Sequence, residues 1–177
     1  MKPTKSTRTR YTVGALLLSA LALMALNTSA LAGADYVIIL NGTTSLSDSV
    51  SSRTVTFTLP STLDTAQRAV LIMRANGVNL GTNSVYINPI TTTCGDLDAD
   101  PNSSRLVGNL DVFPEGAATF TATVPGSFLK AGSNTLLICA RDEAGQTGAV
   151  SGNIDNFSVG RITLFFKTRP CTALPCP

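Results

Sequence analysis

Hydrophobic and polar residues alternate along most of the chain with a period of two, the pattern of strands half-buried in a sheet. Arg53 to Leu59 (RTVTFTL) is the clearest case: Val55, Phe57 and Leu59 face one way, and Thr54, Thr56 and Thr58 the other. Thr119 to Val124 repeats it, with Phe120, Ala122 and Val124 set against Thr119, Thr121 and Thr123. Asn134 to Ala140 alternates Leu136, Ile138 and Ala140, and Gly160 to Lys167 alternates Ile162, Leu164 and Phe166. Shorter segments of the same character are Asp35 to Leu40, Asn83 to Asn88 with Val85 and Ile87 inward, and Leu106 to Val112. Ala69 to Ala75 (AVLIMRA) is almost unbroken apolar sequence, which predicts a strand buried on both faces.

Turn signals punctuate these runs. Asn41-Gly42 is read as the start of a polar connection, Pro60 closes the second strand, and Ser61 to Gln67 is a polar connector. Asn76-Gly77 and Pro114-Glu115-Gly116 are read as turns, and Pro125 to Lys130 as a turn or short helix. Pro89 to about Arg105 has no period and is read as an irregular segment. About eight strands with frequent turns and no long helical period predict an antiparallel two-sheet β-sandwich. The stretch Ser133 to Lys167 anchors this reading as strand, polar loop, strand.

The N-terminus stands apart. Basic residues Lys2, Lys5, Arg8 and Arg10 precede an apolar run, Thr12 to Leu26, and then the small-residue site Ala30-x-Ala32. That order is a secretory signal peptide over residues 1–32, cut before Gly33, and it places the mature protein outside the cytoplasm, secreted or periplasmic. The apolar run is short for a membrane span. The two arginines are not adjacent as in a twin-arginine signal, and no Cys follows the cut as in a lipoprotein. Removing the signal changes the charge. The chain has 13 basic and 11 acidic residues, net +2. Four basic residues leave with the signal, so nine stand against eleven acids, net −2, and no basic patch argues for nucleic acid. Residues 33–169 suffice for one domain with a core, and 170–177 form a short Cys/Pro tail.

All four cysteines, Cys94, Cys139, Cys171 and Cys176, lie in the exported part. An even count in an oxidising compartment implies two disulfides, with three connectivities open. Pro170 and Pro175 bend the tail in favour of Cys171–Cys176, which leaves Cys94–Cys139 to pin the irregular segment to a strand. A zinc site is the rival, but the chain has no His and no C-x-x-C.

Four segments together resemble the galactose-binding-like jelly roll common among non-catalytic carbohydrate-binding modules: AVLIMRANGVNLGTNSVYINP (Ala69 to Pro89), LVGNLDV (Leu106 to Val112), VPGSFLKAGSNTLLICARD (Val124 to Asp142) and GNIDNFSVGRITLFF (Gly152 to Phe166). They match a buried strand leading to a V-x-I-N-G hairpin, a turn and strand of the form KAGSNTL, and a closing strand preceded by Asp and Phe. Pro89 stands where the family has Gly, and Ile90 to Arg105 is an insertion. These motifs specify turns and core positions, so the resemblance speaks to fold more than to function. It implies a jelly-roll sandwich of a carbohydrate-binding class; if a sugar binds, Arg141, Asp142 and Asn156 at the loop ends are the candidate residues. It also implies a structural calcium near the ends of the first and last strands, where Asp35 and Asp155 are the matching acids. The plain alternative for Asp155-Asn156 is turn chemistry, the side chains capping backbone N–H groups.

Independent of the resemblance, Asp96, Asp98, Asp100 and Asn102 alternate in DLDADPN, a pattern that can converge oxygens on calcium if the loop turns. The positions that would complete an EF-hand are Pro101 and Val107, so that motif is excluded. The alternative is a solvated acidic loop. Sugar faces stack on aromatic rings, yet the chain has no Trp, and only Tyr36 and Tyr86 remain among tyrosines after the cut. Phe113, beside Pro114, is the best exposed aromatic candidate; Phe165 is assigned to packing between sheets. Without His there is no Ser–His or Cys–His pair, and no phosphate-binding Gly loop is present. Catalysis is not expected. Two functions remain: a secreted carbohydrate- or glycoconjugate-binding module, or a structural subunit of an extracellular matrix, filament or surface layer.

Overall fold

The computed structural model describes residues 34–98, 105–142 and 154–170. The predicted signal segment, residues 100 and 102 of the acidic motif, and the Cys171 and Cys176 tail lie outside the described residues. The described chain forms eight strands: β1 (Ala34–Leu46), β2 (Ser52–Leu59), β3 (Ala69–Val78), β4 (Ser84–Ile87), β5 (Leu106–Asn109), β6 (Phe113–Val124), β7 (Gly132–Cys139) and β8 (Phe157–Lys167). A short helix, α1 (Cys94–Asp98), sits between β4 and β5, and one 3₁₀ turn covers Gly126–Phe128.

Strands pair β1 with β8, β2 with β7, β3 with β6 and β4 with β5, all antiparallel. The chain is therefore a ribbon of four strand pairs folded over itself. Further pairing of β3 with β8 and of β4 with β7 closes two sheets, ordered β1-β8-β3-β6 and β2-β7-β4-β5. This is the jelly-roll winding of a two-sheet sandwich.

The core lies between the sheets and follows the period of two. Leu71 and Met73 of β3 and Ile162 and Leu164 of β8 meet Val85 and Ile87 of β4 and Leu136 and Ile138 of β7, all fully buried. Burying such an aliphatic side chain is worth about 1.5–3 kcal/mol. On β2, Phe57 and Leu59 turn inward while Thr54, Thr56 and Thr58 stay exposed.

Three turn signals turned out to lie inside strands. Asn41-Gly42 is within β1, which stays paired with β8 to Leu46 through register shifts at Ile38/Leu40 and Leu40/Thr43. Asn76-Gly77 lies in β3 opposite the Pro114–Gly116 segment of β6, where the register shifts between Asn76 and Val78. Gly77 (φ 74°) and Gly116 (φ 90°) supply the left-handed conformations, and the extra residues are absorbed as a bulge instead of a reversal. β6 is an edge strand, where the missing N–H of Pro114 is tolerated.

β3 also departs from expectation. Leu71, Met73 and Ala75 are buried, but Val70 and Arg74 are exposed and Ile72 half-buried. One face of this apolar strand packs in the core; the other forms part of the molecule's surface.

Candidate functional site

The residues expected to bind sugar do come to one end of the sandwich. Phe113 pairs with Val78 at the end of β3. The Asp142 carbonyl accepts from Thr82 Oγ1 at 3.2 Å. Asn156 sits against Gly77, and the Asp155 N–H donates to the Arg141 carbonyl at 3.1 Å. Phe113 and Asn156 are exposed and Asp142 half-buried.

Two buried side chains organise this end. Asp155 Oδ2 accepts from the backbone N–H groups of Asn79 and Leu80, both at 2.9 Å, and from Asn83 Nδ2 at 2.6 Å, while its Oδ1 accepts from Asn79 Nδ2 at 3.0 Å. Asn83, itself fully buried, accepts the Arg141 N–H on Oδ1 at 2.9 Å. Asp155 thus caps the β3–β4 connection, the turn chemistry that was the alternative for this residue. Arg141 is only 4% exposed; its Nε donates to Ser84 Oγ and its Nη2 to Tyr86 OH, each at 2.7 Å. Its guanidinium points across the sheet, not toward solvent. Among the described residues no buried side-chain nitrogen or oxygen lacks a partner, so this network is a closed brace. The asparagine after the KAGS turn serves likewise at the opposite end: Asn134 bonds Lys130 N and O, the Gly132 carbonyl and Asn88 Nδ2.

The outer face of the second sheet is covered over β4 and β7, while the outward threonines of β2 stay exposed. Cys94 of α1 is disulfide-bonded to Cys139 of β7, the pairing left over once the tail cysteines are matched to each other. Leu97 drops onto Tyr86 and Leu137, and these residues with the two cysteines make a second buried cluster. Tyr86 is therefore structural. Asp96 is exposed on α1. Asp96 and Asp98 lie on the helical segment Cys94–Asp98, Asp100 and Asn102 lie outside the described residues, and among the described residues no three His, Cys, Asp or Glu are grouped to hold a metal. Asp35 and Asp155 do not converge. Asp35 lies opposite Phe166 at the far end of β8, about 35 Å of strand away from Asp155, and accepts from Thr168 Oγ1 at 2.8 Å.

The outer face of the first sheet is different. Tyr36 is 63% and Phe165 41% exposed; they are direct cross-strand partners, with ring centroids 6.0 Å apart and planes inclined by 39°. Val70 lies opposite Phe165 on the other side, and Ile38, Thr163 and Ile72 form the next row across β1, β8 and β3. Phe165 is thus a surface residue and does not pack between the sheets. Further along β8 and β3, exposed Arg161 and Arg74 flank two shallow depressions of about 370 and 210 Å³. Thr119 and Ile72 line the larger, and Thr43, Asn76 and Ser158 line the smaller.

Local backbone explains how Arg161 comes to be there. Gly160 passes so close to β1 that a Cβ would sit 2.6 Å from the Gly42 carbonyl oxygen. The adjoining Arg161 takes φ 49°, a left-handed conformation rare for a residue with a side chain. The ladder is irregular at this point on both sides of β8, and bulges of this kind re-aim a side chain.

What the described residues amount to is an all-β jelly-roll sandwich in which a disulfide-linked helix covers part of one outer face, while no described element covers the other, which is apolar and arginine-flanked. No protein-family model matches the sequence, and comparison with curated proteins returns no significant match.

Proposed function

We propose that this protein is an extracytoplasmic, non-catalytic carbohydrate-binding domain, and that the saccharide lies along the outer face of the first sheet. The observation that carries the reading is the exposed Tyr36–Phe165 pair, two adjacent rings on a rigid sheet with no covering element among the described residues. Sugar C–H faces stack on such rings, and neighbouring hydroxyls such as Thr163 and Thr119 offer the polar contacts that fix orientation. An exposed apolar patch of this kind on a monomer marks an interaction site. The resemblance to galactose-binding-like modules supports the same class, though it directs attention to the loop ends, where Arg141 and Asp155 are spent on bracing. Export is supported by the leader sequence and by the Cys94–Cys139 disulfide, a bond that persists in oxidising compartments. No helix among the described residues is long and apolar enough to cross a membrane.

The test is retention of the mature domain on insoluble and immobilised polysaccharides, wild type beside Tyr36→Ala/Phe165→Ala. The reading expects retention of the wild type and its loss in the double variant with unchanged melting. Retention that survives the double variant would move the site elsewhere; no retention on any polysaccharide class would remove the function.

The structural-subunit reading has one observation of its own. β1 and β6, of 13 and 12 residues, are the edges of the first sheet, and long edges are templates for strand addition. Sedimentation that stays monomeric up to millimolar protein would dismiss it.

A further inference from the structure

We infer that the open face is built for an anionic saccharide, one carrying carboxylate or sulfate groups, with Arg74 and Arg161 as its charge-reading residues. This rests on the carbohydrate reading above and narrows it.

Both arginines line both depressions, and both are exposed. Among the described residues neither makes a side-chain hydrogen bond or ion pair, in contrast to Arg141, and no described acidic residue lines either depression. An arginine fork matches carboxylate or sulfate oxygens bidentately, so two forks around one depression favour an anion over a neutral sugar. The backbone gives an independent reason. Arg161 holds a left-handed conformation, φ 49°, where Gly or Asn would sit with less strain. Such strain persists where the aim of a side chain matters, and here the bulge at Gly160 delivers Arg161 to the outer face beside Arg74.

The spacing sets the length of ligand. Phe165 stands four positions beyond Arg161 along β8, about 13 Å, with the Ile38–Thr163–Ile72 row between. That exceeds one sugar ring. The ligand is therefore an oligosaccharide or polymer, stacked on Tyr36 and Phe165 at one end and anchored through its acidic group at the other.

The decisive experiment is affinity electrophoresis and calorimetry of the mature protein against polygalacturonate (carboxylate), heparin (sulfate), a neutral glucan and polyglutamate. Wild type should bind at least one of the acidic saccharides at moderate salt and prefer it to both the neutral glucan and polyglutamate. Arg161→Gln and Arg74→Gln should each weaken that binding about tenfold or more; Arg53→Gln, an exposed arginine of the second sheet, should not. Polygalacturonate against heparin decides between carboxylate and sulfate. Equal binding of neutral glucan, with the arginine variants unaffected, overturns the anionic inference and leaves the carbohydrate reading standing. Equal binding of polyglutamate overturns the saccharide in favour of bare charge. Concentration-dependent dimerisation abolished by Tyr36→Ala/Phe165→Ala would show that a second copy covers this face and overturn both.

Discussion

The two outer faces of this sandwich start from the same material and end differently. On the second sheet, Tyr86, Leu137 and Cys139 point away from the core, and the chain supplies a cover: α1 lowers Leu97 onto them, and a disulfide holds it there. On the first sheet, Tyr36, Ile38, Val70 and Phe165 also point away from the core and remain exposed. A chain that closes one apolar face with a helix, a disulfide and a buried arginine, while leaving an aromatic one bare, separates two tasks. On the reading proposed above, the covered face contributes stability and the bare face is the one that takes the ligand.

That division can be broken by substitutions on each side. The largest stability loss is expected for Cys94→Ala/Cys139→Ala. The bond spans 45 residues, and loop closure of that length is worth about 4 kcal/mol in the chain-entropy model; denaturant unfolding measures it, and saccharide binding at low temperature should be unchanged. Next is Asp155→Ala, which leaves the Asn79 and Leu80 N–H groups and Asn83 Nδ2 without their acceptor. About 3 kcal/mol should be lost, again with no effect on binding by the folded protein. A loss below about 1 kcal/mol would mean that the β3–β4 connection does not depend on this cap. Tyr86→Phe removes only the hydroxyl that accepts from Arg141 Nη2, and about 1.5 kcal/mol is expected. Least costly should be Tyr36→Ala/Phe165→Ala, under about 1 kcal/mol as an exposed cross-strand pair, yet this is the variant expected to abolish binding. If the double variant unfolds the domain, the open face is structural and the comparison fails.

Much of the fold was legible because alternation is a direct image of a half-buried sheet. The inward residues of β2, β4, β7 and β8 are those the period of two selects. Turn signals misled where the chain used them for bulges: Gly77 and Gly116 satisfy the same left-handed geometry in mid-strand that they would in a hairpin, and only the pairing partner distinguishes the two uses. Arg141, Asp142, Asn156 and Phe113 come to one end of the sandwich, but Arg141 is buried there as a brace, and burial of a charged residue leaves no mark in its own neighbourhood of sequence. The open face was present as a signal and misread. The unbroken apolar run Ala69 to Ala75 predicts a strand packed on both sides, and the off-phase Phe165 reads as packing between the sheets. In an antiparallel sandwich with no helical layer over the first sheet among the described residues, every second residue of such a run faces outward, so the run itself announces an apolar surface. Arg74 and Arg161 carried no motif; only the β3–β8 register brings them together.

The claim that function resides on the open face is tested most directly by residue-resolved chemical-shift mapping. The isotope-labelled mature domain would be titrated with oligogalacturonate and with a neutral oligosaccharide of equal length. The account predicts shifts at Tyr36, Ile38, Val70, Arg74, Thr163 and Phe165 on addition of the acidic ligand, with Leu97, Leu137 and Cys139 unmoved. Shifts confined to Asp142, Asn156 and Phe113 at the loop end, with the first sheet silent, would contradict it.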